Sequence, residues 1–149
     1  MHTEQLLKSL KDNKVQFVII GATAFPVHGY SRATLDTDIF IKPDEANARR
    51  TLKALREFGY DVASLTPDDL LTKKVLIRQY MVEADVHPFV EGMTFERVWK
   101  NRLKAQFGKT FVWFASLDDL IRMKKAASRP KDLEDLKYLR RLRNRSKKH

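Results

Sequence analysis

FVIIGATAFPVHGYSRATLDTDIFI, residues Phe17 to Ile41, decides the reading of this chain. The apolar run Phe17, Val18, Ile19, Ile20 predicts a buried strand. Gly21 then breaks it, where the backbone must turn sharply or come close to something. Ala22 to His28 predicts a short helical turn, with Gly29 as its C-cap. Pro26 fits if Thr23 is the N-cap, since the first turn has no use for the missing N–H. After a polar link the chain becomes extended again through Asp36, Asp38 and the apolar end Ile39, Phe40, Ile41. Residues i and i+2 of a strand share a face, about 6.5–7 Å apart at roughly 3.3 Å per residue. Asp is a poor strand former and the two charges repel, so the pair calls for a cation.

Working outward, Thr3 to Leu10 predicts a helix with Leu6, Leu7 and Leu10 on one face. Asp44 caps a helix to about Phe58 that buries Ala48, Leu52, Leu55 and Phe58, and Gly59 stops it. Thr66, Pro67 and Asp69 have the form of a capping box. Val75 to Tyr80 and Met81 to His87 read as two neighbouring strands or one long bent strand, because no turn residues separate them. Pro88 ends that segment and Thr94 to Trp99 predicts a short helix. Gly108-Lys109 predicts a hairpin between Leu103–Phe107 and Thr110–Phe114. Ser116 to Asp119 reads as a second capping box, opening a helix to about Ala127. A final helix follows from about Lys131 to Arg143, with Leu133, Leu136, Leu139 and Leu142 as its core face. The expectation is one domain over residues 1–149, with a core of about 1–114 and C-terminal helices over about 116–145.

Composition narrows the class. With 43% hydrophobic residues the 149-residue chain is of ordinary globular make-up. No apolar run approaches the ~20 residues of a membrane helix. The N-terminus lacks the form of a secretory signal and there is no cysteine, so a cytoplasmic protein without disulfides or thiolate metal sites is expected. A net charge of +10 favours a polyanionic partner over simple solubility. Arg140, Arg141, Arg143, Arg145, Lys147 and Lys148 concentrate it at the C-terminus, where it serves equally as helix-end charge or as an RNA contact.

Several features carry chemistry. Alone, Asp36 and Asp38 would read as solvated strand carboxylates; beside Gly21 and the short helix they read as ligands of a hard cation. In VEADVHPF, Asp85 alternates away from Val82, Ala84 and Val86, with Glu83 as its competitor and His87 as a polar strand-end residue. Lys124 falls in the middle of the apolar stripe of Leu117, Leu120 and Ile121, and an inward lysine needs an anion or a route to water. Gly21 and Thr23 are phosphate candidates, as backbone N–H groups at a helix start. Arg32 reaches either phosphate or the aspartates, and Thr34 orients Asp36.

The Gly-rich turn followed by Asp-x-Asp resembles the signature of the DNA polymerase β-like nucleotidyltransferase superfamily. The fuller GATAFPVHGYSRATLDTDI resembles its minimal bacterial members, including AbiEii-type toxins. Gly21-Ala22 stands where that family has Gly-Gly or Gly-Ser. The resemblance implies an α/β (α+β) nucleotidyltransferase fold, a mixed sheet flanked by helices with a C-terminal helical pair. It implies two Mg2+ ions on Asp36, Asp38 and Asp85, with Asp85 helping to deprotonate an acceptor hydroxyl. MKKAASRPKDLEDL matches a recurring lysine-helix feature, which implies that Lys124, Arg129 and Asp132 join Gly21, Ala22, Thr23 and Arg32 around the triphosphate of an NTP such as ATP. The implied acceptor is RNA such as a tRNA 3′ end, with a cognate antitoxin protein if the chain is a toxin. Nucleotidylation of a protein or antibiotic, or a non-catalytic binding module, are the alternatives.

Overall fold

Six strands form one mixed sheet in the order β3-β4-β2-β1-β6-β5: β1 Phe17–Ile20, β2 Asp36–Ile41, β3 Val75–Gln79, β4 Val82–His87, β5 Leu103–Phe107 and β6 Thr110–Phe114. The computed structural model describes residues 2–31, 34, 36–80 and 82–147, without the side chains of 146–147. Arg32 and Lys148 thus lie outside the described residues, and so does the Lys147 side chain. Pairing is parallel for β2–β4 and β1–β6 and antiparallel for β1–β2, β3–β4 and β5–β6. Helices α1 His2–Asp12, α2 Glu45–Phe58, α3 Pro67–Thr72, α4 Phe95–Lys100, α5 Leu117–Ala127 and α6 Pro130–Lys147 complete the α/β fold with the expected C-terminal pair.

The apolar patterns fold as their periods demand. Leu6, Leu7 and Leu10 of α1 are fully buried, as are Ala48 and Leu55 of α2. Asp44 caps α2 by accepting from the Asn47 amide at 2.7 Å, and Gly59 closes it in the left-handed region. Buried Asn47 fixes α2 to the sheet, because its side chain accepts from the Gln16 amide and donates to the Gln16 and Lys42 carbonyls. Both halves of the capping box at Thr66 and Asp69 form.

Four local expectations are corrected, and one open alternative, the segment 75–87, is resolved in favour of two neighbouring strands. Thr23 is not an N-cap: a 3-10 helix runs from Gly21 to His28 directly off β1, with Ile20 as a cap that makes no side-chain bond. Gly21, at φ +70°, lets the strand turn without the residues a cap would need. The segment 75–87 is a hairpin: Gln79 pairs with Val82, and Tyr80 takes φ +58°, stacked on Tyr60 at 6.3 Å. Buried Tyr60 donates its hydroxyl to the Val82 carbonyl at 2.5 Å, which ties this turn to the chain after α2; burial pushes its pKa up to about 12. At Ser116 only the hydroxyl half of the box forms, since Asp119 instead accepts from Arg97 and Asn101 at 3.3 Å each. Helix α6 begins at Pro130 and runs past Arg143 to Lys147. Leu133 is 54% exposed, whereas Leu136 and Leu139 are buried.

The sheet's two faces differ where it matters. On β2, Thr37, Ile39 and Ile41 are buried on one side, while Asp36, Asp38 and Phe40 alternate onto the other. Phe40 packs edge-on against Phe95, so α4 covers one end of this second face. The acidic residues stand on the part left open toward the β3 edge, where Leu76 is exposed.

Candidate active site

Register brings the acids together. In the parallel β2–β4 pair, Asp36 lies opposite Glu83 and Asp38 opposite Asp85. Side chains of directly paired residues share a face, so four carboxylates from two central strands converge. One ligand atom each from Asp38, Asp85 and His87 lie within 4.8 Å of one another. His87 Nε2 donates to Asp38 Oδ1 at 2.8 Å. Asp36 lies beside this group and its carboxylate accepts from the Thr34 hydroxyl at 3.1 Å, as expected for Thr34.

Charge within the cluster is partly offset by a residue the sequence reading missed. The Arg78 guanidinium reaches Asp85 at 2.6 Å, Glu83 at 3.6 Å and Asp36 at 3.8 Å. Arg78 faces Glu83 in the β3–β4 register, so recognising the hairpin would have exposed it. Asp85 is 4% exposed, and burial raises its carboxyl pKa; the Arg78 hydrogen bond opposes this, while the Asp38 charge and a hydrogen bond with Asp36 add to the rise. Burial would raise Asp36 too, but hydrogen bonds from Asp85 and Thr34, its own backbone and the Arg78 charge outweigh it and hold Asp36 below the ordinary value. Of these two carboxyls Asp85 is the one whose pKa is raised, and a cation placed among these oxygens would act against that rise.

Gly21 is required by the same cluster. A Cβ built at Gly21 would run into the Asp38 carboxylate oxygen and lie 3.2 Å from its Cγ, at a positive φ. Gly21→Ala is expected to cost about 1–2 kcal/mol from the left-handed backbone alone and to push Asp38 off His87. Thermal melts, with the His87 imidazole followed by NMR, check both effects; an unmoved His87 resonance would contradict the close approach. Ala22 is buried beside it, and the Thr23 hydroxyl donates to the Asp36 carbonyl at 3.4 Å, tying the helix start to β2.

The C-terminal segment carries two cations, Lys124 and Arg129, both held by buried acids of α6. Lys124 points inward, its side chain 13% exposed, with Nζ 3.1 Å from Asp132 and 3.3 Å from Asp135. It also lies 5.5 Å above the centre of the Phe25 ring, so α5 and α6 close onto the 3-10 helix. Asp132 is fully buried, bonded to the Arg129 amide at 3.1 Å and to its guanidinium at 2.6 Å. Burial would raise the Asp132 pKa, but Arg129 and Lys124 overcome this and bring it down to about 2. Arg129's pKa is raised, first by the Asp132 hydrogen bond and further by the charges of Asp132 and Asp38. Arg129 thus feels the acidic cluster while anchored on α6. Tyr30 donates to Asp135 at 3.2 Å, and His28 Nε2 donates to the Ala115 carbonyl at 2.9 Å.

A family model described as "Nucleotidyltransferase of unknown function (DUF6036)" matches residues 2–143. No curated protein matches the chain.

Proposed function

We infer the reaction from one premise: the chain belongs to the nucleotidyltransferase family whose model spans residues 2–143. The reaction is transfer of a nucleoside monophosphate from an NTP to an acceptor hydroxyl, with RNA such as a tRNA 3′ end as acceptor. The single observation that carries it is the meeting of Asp38 with Asp85 across β2 and β4, with Asp36 alongside.

The donor set suits magnesium. Asp36, Asp38 and Asp85 offer hard carboxylate oxygens, and burial with the neighbouring Asp38 charge raises the Asp85 pKa, a cost that a bound cation would offset. These three would hold Mg2+, two ions on this reading, whose chemistry there is charge stabilisation on the α-phosphate and the leaving pyrophosphate. His87, a nitrogen donor, suits magnesium less and keeps Asp38 oriented instead. The acceptor hydroxyl loses its proton to the Asp85 carboxylate as its oxygen bonds to the α-phosphorus, and the bond to the β-phosphate oxygen breaks, releasing pyrophosphate. Gly21, Ala22 and Thr23 would present backbone N–H groups to the phosphates, with Arg32, Lys124 and Arg129 as cations. Asp132 would position Lys124 and Arg129 rather than touch the nucleotide.

Incubation with each labelled NTP, magnesium and total RNA tests this. Label is expected in RNA, abolished by EDTA and restored by Mg2+. Label in protein would instead support nucleotidylation of a partner. Absence of label with every nucleotide would leave a non-catalytic module of the same fold. A toxin role rests on the AbiEii-type resemblance, and induced expression that arrests growth, relieved by a co-expressed neighbouring antitoxin, is its expected sign.

A further inference from the structure

Away from the acids, α4, α5 and α6 enclose a cavity of about 610 Å3 whose charged lining is Arg97, Asp118, Arg122, Lys125, Arg140 and Arg143. Five cations face one acid. Arg97 is engaged with Asp119 at 3.3 Å, and Arg143 reaches Asp118 only at 3.9 Å. Among the described residues no ion pair engages Arg122, Lys125 or Arg140. The Arg143 Nε is buried with no hydrogen-bond partner. A buried donor left unpaired and several like charges around one concavity are both costly unless an anion fills the space.

We propose that this cavity is the docking site for the phosphodiester backbone of the acceptor RNA, an inference that rests on the RNA-acceptor reading above. Arg122 and Lys125 stand three apart on α5, and Arg140 and Arg143 three apart on α6, so each helix presents two neighbouring cations along its length. Two such rows suit successive phosphates of a strand better than one small anion. No aromatic residue lines the cavity to stack the base of a free nucleotide. The other flank of α6 adds Arg141 and Arg145 in a cleft with Tyr30 and the partly exposed Tyr138. Cationic grooves with aromatic side chains beside them are how single-stranded nucleic acid is held. A membrane surface fits less well, because the cations line a concavity and Ile121 is the one large apolar side chain there.

The test is binding of a fluorescein-labelled RNA hairpin with a single-stranded 3′ end, followed by anisotropy across a KCl series. Arg122→Ala/Lys125→Ala removes two exposed cations and should leave the melting temperature unchanged. Its Kd is expected to rise about tenfold or more, and the slope of log K against log salt to fall by about 1.4, from roughly 0.7 per single-strand phosphate contact. Lys131→Ala/Lys137→Ala, outside the cavity on exposed positions of α6, is the matched control with the same charge loss. Equal weakening by both pairs would overturn the proposal, since diffuse charge would then explain binding. Loss of pyrophosphate or phosphatidylserine-vesicle binding with RNA binding intact would overturn it as well. Asp38→Asn should bind RNA like the unaltered protein. If it does, and the unaltered protein labels no RNA, the docking site stands and the RNA-acceptor reading fails. If RNA is labelled normally by the cavity variant, the reading stands and the docking site fails.

Discussion

Asp38→Asn is expected to abolish nucleotidyl transfer, by about 1,000-fold or more, equivalent to ~4 kcal/mol of transition-state stabilisation, while the protein stays folded. Asn keeps the shape of Asp and an oxygen to accept from His87, so the 2.8 Å contact survives. It removes one negative charge from beside Asp85, whose pKa that charge helps to raise. Folding therefore loses little and is relieved of some repulsion, and the loss falls on the proposed cation site. Label transfer and thermal melting, measured on the same preparation, separate the two effects. Substantial turnover by this variant would remove Asp38 from the metal-holding set; a collapsed melt would mean that the carboxylate is structural.

Lys124→Met is expected to destabilise the protein by about 3 kcal/mol, the low end for breaking a buried ion pair. Two acids that are almost wholly buried, Asp132 and Asp135, share this one amine. The low end applies because Asp132 keeps Arg129 and Asp135 keeps Tyr30. The pH dependence has a definite sign. Asp132 is held down to about 2 in the folded protein, below the ~3.9 of an unfolded Asp. Its contribution is thus fully present above about pH 4 and drains away as the pH falls toward 2. Without Lys124 the depression shrinks, so stability should fall less steeply over that window. Melts from pH 5 to 2 read both effects. A variant that melts with the unaltered protein at pH 7 would show the amine to be dispensable for folding. Loss of transfer in excess of the lost stability would then report its second task at the triphosphate.

The distance between what the chain spells and how it folds is instructive at particular residues. Local signals sufficed for β1, β2, α2 with its Asp44 cap, and the Gly108 hairpin, because each is set by near neighbours. Lys124 was legible too, since an amine in the middle of an apolar stripe has few explanations. Arg78 was not, because its role depends on which strand lies across from it, and the turn that decides this contains no Gly, Asn or Asp. Tyr80 takes a left-handed backbone and stacks on Tyr60, twenty residues earlier, a pairing that no turn rule reads. His87 looked like a strand end, yet it orients Asp38, a cross-strand contact set by pairing rather than by spacing. The capping box at Ser116 failed halfway for the same reason: Arg97 and Asn101 compete for Asp119 from a different helix.

Ala115 ties the end of β6 to β1 and to the 3-10 helix. Its amide donates to the Ile19 carbonyl at 3.0 Å and its carbonyl accepts from His28, next to the single β1–β6 registered pair, Ile19 with Phe114. Helix α5 starts two residues later, after the Ser116 cap, and Lys124 stands roughly 12 Å from that cap at 1.5 Å per residue. The helix is therefore a lever with Ala115 as its fulcrum. A tilt of about 5° there would swing the lysine by about 1 Å, a misplacement large enough to change a rate by orders of magnitude. An imidazole that touches no reacting atom would, on that account, calibrate the aim of the whole cationic arm.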